Sequence, residues 1–309
     1  MPEVAVVMSV YNGMPYLPEA VDSIVNQTLK DFKFLIINDG SMDGTEDYLN
    51  RLTDQRIQVV HQTNQGQGAA RTLGINMCDS EFVAITDADD VALPTRLEAQ
   101  LRFLRSHIDT GLLGTQVSYL GTGGRKGFSP PLPCGHEAIY ADLLSGRHAI
   151  CNPSIMCRTA TLTRVGGYKI KGSGEDLDMW LRMGEVSRLA NLNEVLHLYR
   201  LHLLSASIRQ LVMIHVRYSH ACDCARRRAG GQPEITFDEF LIEQTARPFW
   251  QRAAEVMDVH ALGQYRGALA EILGSHRFRG YARLSWAAMC SPRLTSQRIA
   301  RTIRNVEKR

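Results

Sequence analysis

The 309-residue sequence lacks any stretch near the about 18 consecutive apolar residues that a membrane-spanning helix needs, and it does not open with a basic and then apolar leader. It contains seven cysteines, an odd number, and they are scattered along the chain, which excludes a regular disulfide framework. Internal repeats and low-complexity tracts are also absent. With 44% apolar residues, enough for a substantial core, the sequence predicts a globular protein of the reducing cytoplasm.

The sequence also offers little for a zinc site. His220, Cys222 and Cys224 have side chains that ligate zinc, and they lie close together in the chain. However, no second Cys-x-x-Cys or His pair lies nearby to complete four ligands. The pattern therefore disfavours zinc.

Charge divides the chain into two parts. Residues 208–309 hold 17 Lys and Arg against 9 Asp and Glu, a net charge of +8, whereas residues 1–207 hold 18 against 23, a net charge of −5. The pattern also becomes largely helical from Arg209 onward. We therefore predict an α/β domain over 1–207 and a basic helical extension over 208–309.

Four apolar runs, each followed by turn residues and helical spacing, predict alternating strands and helices. They cover residues 4–8, 34–37, 57–60 and 82–85. Because these runs are apolar on both faces, they predict a mostly parallel sheet with helices on both sides. A further strand is predicted over 112–117. The stretch 121–135, rich in glycine and proline, is predicted to be a flexible surface loop that acts as a lid.

The fourth run ends in the acidic segment Thr86-Asp87-Ala88-Asp89-Asp90. Ligands of open α/β sheets bind at the carboxyl ends of strands, and Mg²⁺ and Mn²⁺ prefer oxygen ligands. The segment therefore suggests a metal site beside a phosphate-bearing substrate. Taken alone, it fits a solvated Asp-rich turn equally well.

Further polar side chains are predicted at the same edge of the sheet. Tyr11 follows the first strand, Asp39 follows the second, and Arg71 lies near the start of the third helix. An aromatic ring stacks on a base, a carboxylate accepts from an imide N–H or a ribose hydroxyl, and a guanidinium pairs with phosphate. With Asp87 and Asp89 after the fourth strand, these side chains predict a nucleoside-diphosphate site.

A set of motifs, in order along the chain, resembles the family 2 glycosyltransferases. They are Ser9-Val10-Tyr11-Asn12, Asn38-Asp39-Gly40-Ser41-Met42-Asp43-Gly44-Thr45, Asn64-Gln65-Gly66, Ala69-Ala70-Arg71, Asp87-Ala88-Asp89-Asp90, Asn152-Pro153-Ser154, Gly166-Gly167-Tyr168, Gly174-Glu175-Asp176-Leu177-Asp178-Met179-Trp180-Leu181-Arg182 and Tyr199-Arg200-Leu201-His202. The resemblance covers about two-thirds of the chain. It implies the GT-A fold, a Rossmann-like mixed sheet, and an inverting enzyme that uses a nucleotide-sugar donor.

The resemblance also implies roles for residues on the donor side. It places Tyr11 and Asp39 at the base and Arg71 in support of the nucleotide. Asp87 would reach the ribose or the metal.

Metal and acceptor roles follow from the same resemblance. Asp89 would be the principal ligand of Mn²⁺ or Mg²⁺, and His202 matches a position that approaches the metal or diphosphate in some members. Asp176 matches the general base. Glu175 and Trp180 would lie on the acceptor side.

The predicted reaction is transfer of one hexosyl or N-acetylhexosaminyl group, with UDP as the expected nucleotide, to a glycan or lipid-linked acceptor. The Gln-x-x-Arg-Trp signature of processive synthases is absent after Tyr199, which favours single-sugar addition over polymerisation. One alternative is a phosphatase of the haloacid dehalogenase type. Two features argue against this alternative. The phosphatase motif usually follows the first strand, whereas here three strands precede the acidic segment. The phosphatase also has Thr two residues after its second Asp, and Val91 takes that position here. The other alternative is a non-catalytic nucleotide-sugar-binding scaffold.

The basic end of the chain suggests a partner of its own. Segment 277–309 holds nine Lys and Arg against Glu307 alone, interleaved with Phe278, Tyr281 and Trp286. Such a segment suits peripheral contact with an anionic membrane. It equally fits a solvated helical face or a contact between two copies of the chain. Nucleic acid is disfavoured by the acidic body.

Overall fold

The computed structural model describes residues 2–169 and 174–292. The chain forms two compact units: Met1–Val117 with Leu132–Tyr199, and Ser118–Pro131 with Arg200–Arg309. The boundary near residue 207 that the charge pattern suggested stays a prediction.

One sheet organises the first unit. Its strands, with one addition from the second unit, are β1 Val4–Val10, β2 Phe32–Asn38, β3 Ile57–His61, β4 Phe82–Asp87, β5 Val91–Ala92, β6 Thr110–Gly121, β7 Lys126–Gly127, β8 Met156–Arg158 and β9 Arg188–Leu201. The order is β3-β2-β1-β4-β8-β6-β9-β5, with β7 on the end of β6. The first four strands pair in parallel, and β8 is antiparallel to β4. The sheet is therefore mixed.

Helices cover this sheet and form most of the second unit. They are α1 Leu17–Val25, α2 Thr45–Leu49, α3 Gln67–Asn76, α4 Arg96–Ser106, α5 His136–Leu144, α6 Thr159–Arg164, α7 Glu175–Val186, α8 Ala206–Arg209, α9 Leu211–Ala229, α10 Phe237–Thr245, α11 Phe249–Leu273 and α12 Arg277–Cys290. All seven residues of β1 are buried, so this strand is the centre of the core. Its alternate residues pack with Leu17 and Leu97 on one face. The apolar runs of β1, β2 and β4 thus form strands covered on both faces, whereas β3 ends the strand order and has no fully buried residue, so the expectation of two covered faces is wrong for this run.

The stretch 121–135 is not the featureless loop that its composition suggested. Lys126–Gly127 forms β7, which pairs antiparallel with the end of β6. Gly121 permits a close approach, because a Cβ at this position would lie 2.3 Å from the carbonyl oxygen of Leu273. The surface-loop prediction therefore needs correction only in part: a short hairpin packed against the end of α11 occupies Lys126–Gly127, whereas residues 128–134 form neither helix nor strand. The flexibility of the stretch and its role as a lid stay predictions.

The second unit is mainly helical. Thr236 begins α10 with a capping box, in which its hydroxyl accepts from the Glu239 backbone and the Glu239 carboxylate accepts from the Thr236 backbone. The Nε2 of His220 lies 2.9 Å from the carbonyl oxygen of Ile235. Within the described ranges, no helix combines the length and apolar character needed to cross a bilayer. Of the basic segment 277–309, residues 293–309 lie outside the described residues.

Candidate active site

The register of the parallel strands brings the ends of β1, β2 and β4 together. Val10 pairs with Asn38, and Ser9 pairs with Asp87. Tyr11 and Asp39, each one residue beyond its strand, therefore lie at the same edge of the sheet as Asp87. The sequence predicted this convergence on one edge, because the carboxyl ends of parallel strands lie together.

Hydrogen bonds between two loops hold Tyr11 at this edge. The Asn12 backbone N–H donates to the Ser41 hydroxyl over 2.9 Å, and the Asn12 side chain accepts from the Met42 N–H over 2.8 Å. Asn12 adopts a positive φ of 52°, a conformation that asparagine tolerates better than most residues. The Tyr11 side chain remains half-exposed, so its ring is available for stacking on a base.

Asp39 is buried and ties the loop before α3 to β2. Its Oδ1 accepts from the Gln62 side chain over 2.6 Å and from the Gln65 N–H over 2.8 Å, and its Oδ2 accepts from the Gly66 N–H over 2.9 Å. A carboxylate offers about four acceptor positions. Asp39 thus organises the loop itself, and its role toward a base stays a prediction.

Arg71 is a buried bridge between two carboxylates. Its Nη2 donates to Asp87 over 2.5 Å and its Nη1 donates to Glu175 over 2.7 Å. Burial acts to lower the pKa of Arg71, but the two carboxylates outweigh it and raise the pKa above its ordinary value. The nucleotide contact predicted for Arg71 stays a prediction, and the structure gives the guanidinium a second task in joining β4 to α7.

The proposed base lies where α7 begins. Asp176 is partly exposed, and its Oδ1 accepts from the Leu177 N–H over 2.9 Å. The neighbouring Glu175 is buried, and burial raises its pKa to about 7 although Arg71 opposes the shift. A helix N-terminus favours negative charge, which helps both carboxylates to remain there.

Trp180 lies on α7 but not at the surface. Its side chain is 1% exposed, and its indole N–H has no hydrogen-bond partner among the described residues. The structure therefore shows Trp180 as a packing residue in this state. Its assignment to the acceptor wall stays a prediction.

Asp87, Asp89 and Asp90 form a group suited to a metal ion. One carboxylate oxygen from each lies within 4.8 Å of the others. Burial raises the pKa of Asp87, and the charge of Asp89 adds to the effect. A cation would relieve this repulsion, so these residues fit an oxygen-ligated divalent metal. His202, the other predicted ligand, lies in the second unit, and its role stays a prediction.

Behind this group lies a buried chain of polar side chains that the sequence did not reveal. The Oδ2 of Asp90 lies 2.9 Å from the Nε2 of His197, and the Nδ1 of His197 lies 3.4 Å from the Nη1 of Arg96. All three side chains are at most 1% exposed. Burial and the charge of Arg96 lower the pKa of His197 well below its ordinary value, so the imidazole is neutral.

A second unpredicted contact joins Tyr168 to Asn152. The Tyr168 hydroxyl donates to the Asn152 side chain over 3.0 Å, and the Tyr168 ring lies under the Arg71 guanidinium at 5.9 Å. Both Asn152 Nδ2 and Arg71 Nε are buried donors without a hydrogen-bond partner among the described residues. Buried donors are rarely left in this state, so an acceptor-rich ligand is a natural partner for them.

The fold and this acidic strand edge define a GT-A-type α/β protein. In the comparison with solved structures, Staphylococcus aureus TarS 1–349 in complex with UDP-GlcNAc matches with a TM-score of 0.61 and 16% identity, over 91% of this chain and 88% of that one. The fold class expected from the sequence is thereby confirmed.

The chain belongs to glycosyl transferase family 2, because the model of that family matches residues 5–164, more than half of its length. The uncharacterized glycosyltransferase MJ1057 of Methanocaldococcus jannaschii is 32% identical over 188 residues, which are 59% of this chain and 64% of that protein. The O-antigen biosynthesis glycosyltransferase WbnJ of Escherichia coli is 28% identical over 205 residues, or 64% of this chain and 80% of that protein.

Proposed function

We propose that the protein is an inverting glycosyltransferase that moves one sugar from a nucleoside-diphosphate donor to a glycan or lipid-linked acceptor. One observation carries the proposal: Arg71 joins Asp87 of the acidic group to Glu175, the residue before Asp176. A single buried ion network thus links the donor side to the candidate base. The GT-A fold and the match to glycosyl transferase family 2 argue against the phosphatase alternative.

Asp176 is the proposed general base. Its carboxylate takes the proton of the acceptor hydroxyl while that oxygen attacks the anomeric carbon, and the bond from this carbon to the diphosphate oxygen breaks. Asp87, Asp89 and Asp90 would hold a divalent cation, which when bound stabilises the charge of the diphosphate leaving group. Tyr11 stacks on the base. The unpartnered Asn152 amide and Arg71 Nε donate to oxygen atoms of the bound donor.

A panel of nucleotide sugars, assayed for donor hydrolysis and transfer with Mn²⁺ and with EDTA, tests this proposal. UDP sugars come first, because the TarS fold neighbour is in complex with UDP-GlcNAc. Asp176→Asn should reduce turnover by about 10²-fold or more, since general-base catalysis contributes this much, and should keep donor binding. Asp47→Asn, which changes an exposed carboxylate on α2, is the control and should behave as wild type.

The outcomes of the assay separate the candidate functions. Donor binding without any hydrolysis or transfer across the panel would favour the scaffold alternative. Turnover by Asp176→Asn close to that of wild type would remove Asp176 from the base role. Both results leave the family assignment intact.

We also propose that α12 contacts an anionic membrane surface. Phe278 is 93% exposed and Trp286 is 52% exposed, and residues 277–292 contain no acidic side chain. Aromatic and basic side chains together suit the interface of an anionic bilayer. This location would bring the enzyme to a lipid-linked acceptor.

Co-sedimentation with phosphatidylglycerol vesicles tests the membrane contact. Phe278→Ser with Trp286→Ser should lower the bound fraction, whereas Ile108→Ser, which removes an exposed apolar side chain from the first unit, should not. Equal binding of all three proteins would contradict the proposal. If the double variant instead loses self-association in light scattering, the patch serves a second copy of the chain.

A further inference from the structure

Asp90 differs from the other two carboxylates of the acidic group in its surroundings. Its side chain is 1% exposed, whereas that of Asp87 is 19% exposed and pairs with Arg71. The partner of Asp90 is the equally buried His197 on β9, 107 residues further along the chain. A carboxylate held in this way loses rotational freedom before any ligand arrives.

The contact depends on the pairing of two strands. β5, only two residues long, begins directly after Asp90 and pairs antiparallel with β9, so that Ala92 lies opposite His197. The Leu93 N–H also donates to the Leu196 carbonyl over 2.9 Å. The backbone after the acidic group is thus fastened to the strand that carries the imidazole.

The neighbours of His197 decide which nitrogen carries its proton. A carboxylate accepts, and a guanidinium only donates. Nε2 therefore donates to Asp90, and Nδ1 accepts from Arg96. Arg96 is itself held by the Ile85 carbonyl at 2.6 Å, two residues before Asp87, and its Nε donates to Gln100 over 3.2 Å.

We propose that His197 is a positioning residue for the metal group: it fixes the carboxylate of Asp90 through Nε2–H, with Arg96 holding the tautomer. The proposal rests on the proposed metal-dependent function. Residues that orient metal ligands through hydrogen bonds typically change metal affinity by about 10–100-fold when they are replaced. His197 contributes by orientation and does not contact the substrate.

Titration with Mn²⁺ alone, followed by the electron paramagnetic resonance signal of the free ion, tests the proposal without any turnover assay. His197→Leu removes the donor and should raise the Kd for Mn²⁺ about 10-fold or more. His197→Gln places an amide N–H near the former Nε2 and should restore most of the affinity. His197→Asn, whose shorter amide reaches only the Nδ1 position, should not.

Two controls make the result specific. Leu196→Ala removes buried side-chain volume from the same strand on the opposite face, so it should lower stability and leave the Kd for Mn²⁺ unchanged. Asp89→Asn should weaken Mn²⁺ binding directly. If Asp89→Asn binds as tightly as wild type, the acidic group is not the metal site, and both the metal role and this proposal fail.

The remaining outcomes decide the positioning role by itself. Folded His197→Leu with wild-type affinity overturns it while Asp89→Asn still supports the metal site. If His197→Leu does not fold, equal affinities for the Gln and Asn variants overturn it, and a tenfold or larger gap between them supports it. A loss of affinity in Leu196→Ala equal to that in His197→Leu also counts against the proposal, because the effect then follows stability alone.

Discussion

Removal of the Arg71 guanidinium is the most direct test of the ion network. Arg71 is 4% exposed and bridges Glu175, which is 2% exposed, to Asp87. At about pH 9, above the pKa of about 7 that burial gives Glu175, Arg71→Met leaves the Glu175 carboxylate buried without its cation. Breaking a buried pair in this way costs about 3–5 kcal/mol, and proton uptake by the carboxyl group limits the loss to the lower end of that range. The Asp87 carboxylate is partly exposed, so water screens its part of the loss and the two contributions do not simply add.

Urea unfolding measures this cost. With an m-value of about 1–3 kcal/mol per molar urea, the loss should lower the midpoint by about 1–2 M or more. Arg71→Lys keeps the charge but not the two-pronged geometry, so it should be affected less. Arg105→Met is the matched control, because Arg105 pairs with Glu3 at the surface, where water screens the pair, and its loss should leave the midpoint nearly unchanged.

A double-mutant cycle with Glu175→Gln separates the buried charge from lost packing. Replacing the carboxylate removes the penalty that Arg71→Met exposes, so the double variant should be more stable than the sum of the single losses predicts, by about 1–3 kcal/mol. Additive losses, or a cost for Arg71→Met as small as that for Arg105→Met, would refute the reasoning. The bridge would then contribute no more than an exposed ion pair.

Three further predictions concern the same units. Burial raises the pKa of Glu175 to about 7 in the folded, metal-free protein, above its value in the unfolded chain. The folded state therefore favours the protonated carboxyl group. The resulting stability is fully present below the unfolded pKa and is lost as the pH rises toward 7. The free energy of unfolding of the wild type should therefore fall between pH 5 and 7, by at most about 1.4 kcal/mol per pH unit from this group. Urea unfolding of Glu175→Gln at pH 5, 6 and 7 should lack this decrease. An unchanged decrease would contradict the raised pKa of Glu175. Asp39→Ala leaves the Gln65 and Gly66 N–H groups without their acceptor and should cost about 2–4 kcal/mol by calorimetry; Asp47→Ala is its exposed control. Thr236→Ala removes the cap of α10 and should cost about 0.5–2 kcal/mol, seen as faster amide exchange in the first turn of that helix, and unchanged exchange there would show that the cap does not matter.

The sequence predicted most of the α/β unit because its strands carry the pattern by themselves. Runs that are apolar on both faces indicate buried parallel strands. The polar residues that follow such strands lie at the carboxyl edge of the sheet, independently of the conformation of the loops. Tyr11, Asp39 and Asp87 therefore lie at the edge that the sequence predicts for them. β5 and β8, with two and three residues, are too short to show a period.

The contacts of the polar residues could not be predicted in the same way. Arg71 near the start of a helix looks like a phosphate ligand or a solvated charge, and only the fold shows that Glu175, 104 residues away, receives one of its N–H groups. His197 stands among alternating apolar residues of β9 and carries no motif. Its partner becomes visible only when β9 pairs with the two residues that follow Asp90. Pairing over such separations depends on topology, which local patterns do not encode.

Charge balance explains why these buried groups occur together. Four carboxyl groups, those of Asp87, Asp89, Asp90 and Glu175, share two guanidinium groups, Arg71 and Arg96. When all four are ionised, two negative charges remain before Asp176 is counted. Burial lowers the pKa of Arg96 to about 10, so this cation is still charged at neutral pH. Without the two arginines the carboxylates would repel one another and take up protons, and with more cations they would have little affinity for a metal. The arginines therefore reduce the repulsion enough for the unit to fold and leave an excess of negative charge that a divalent cation would neutralise.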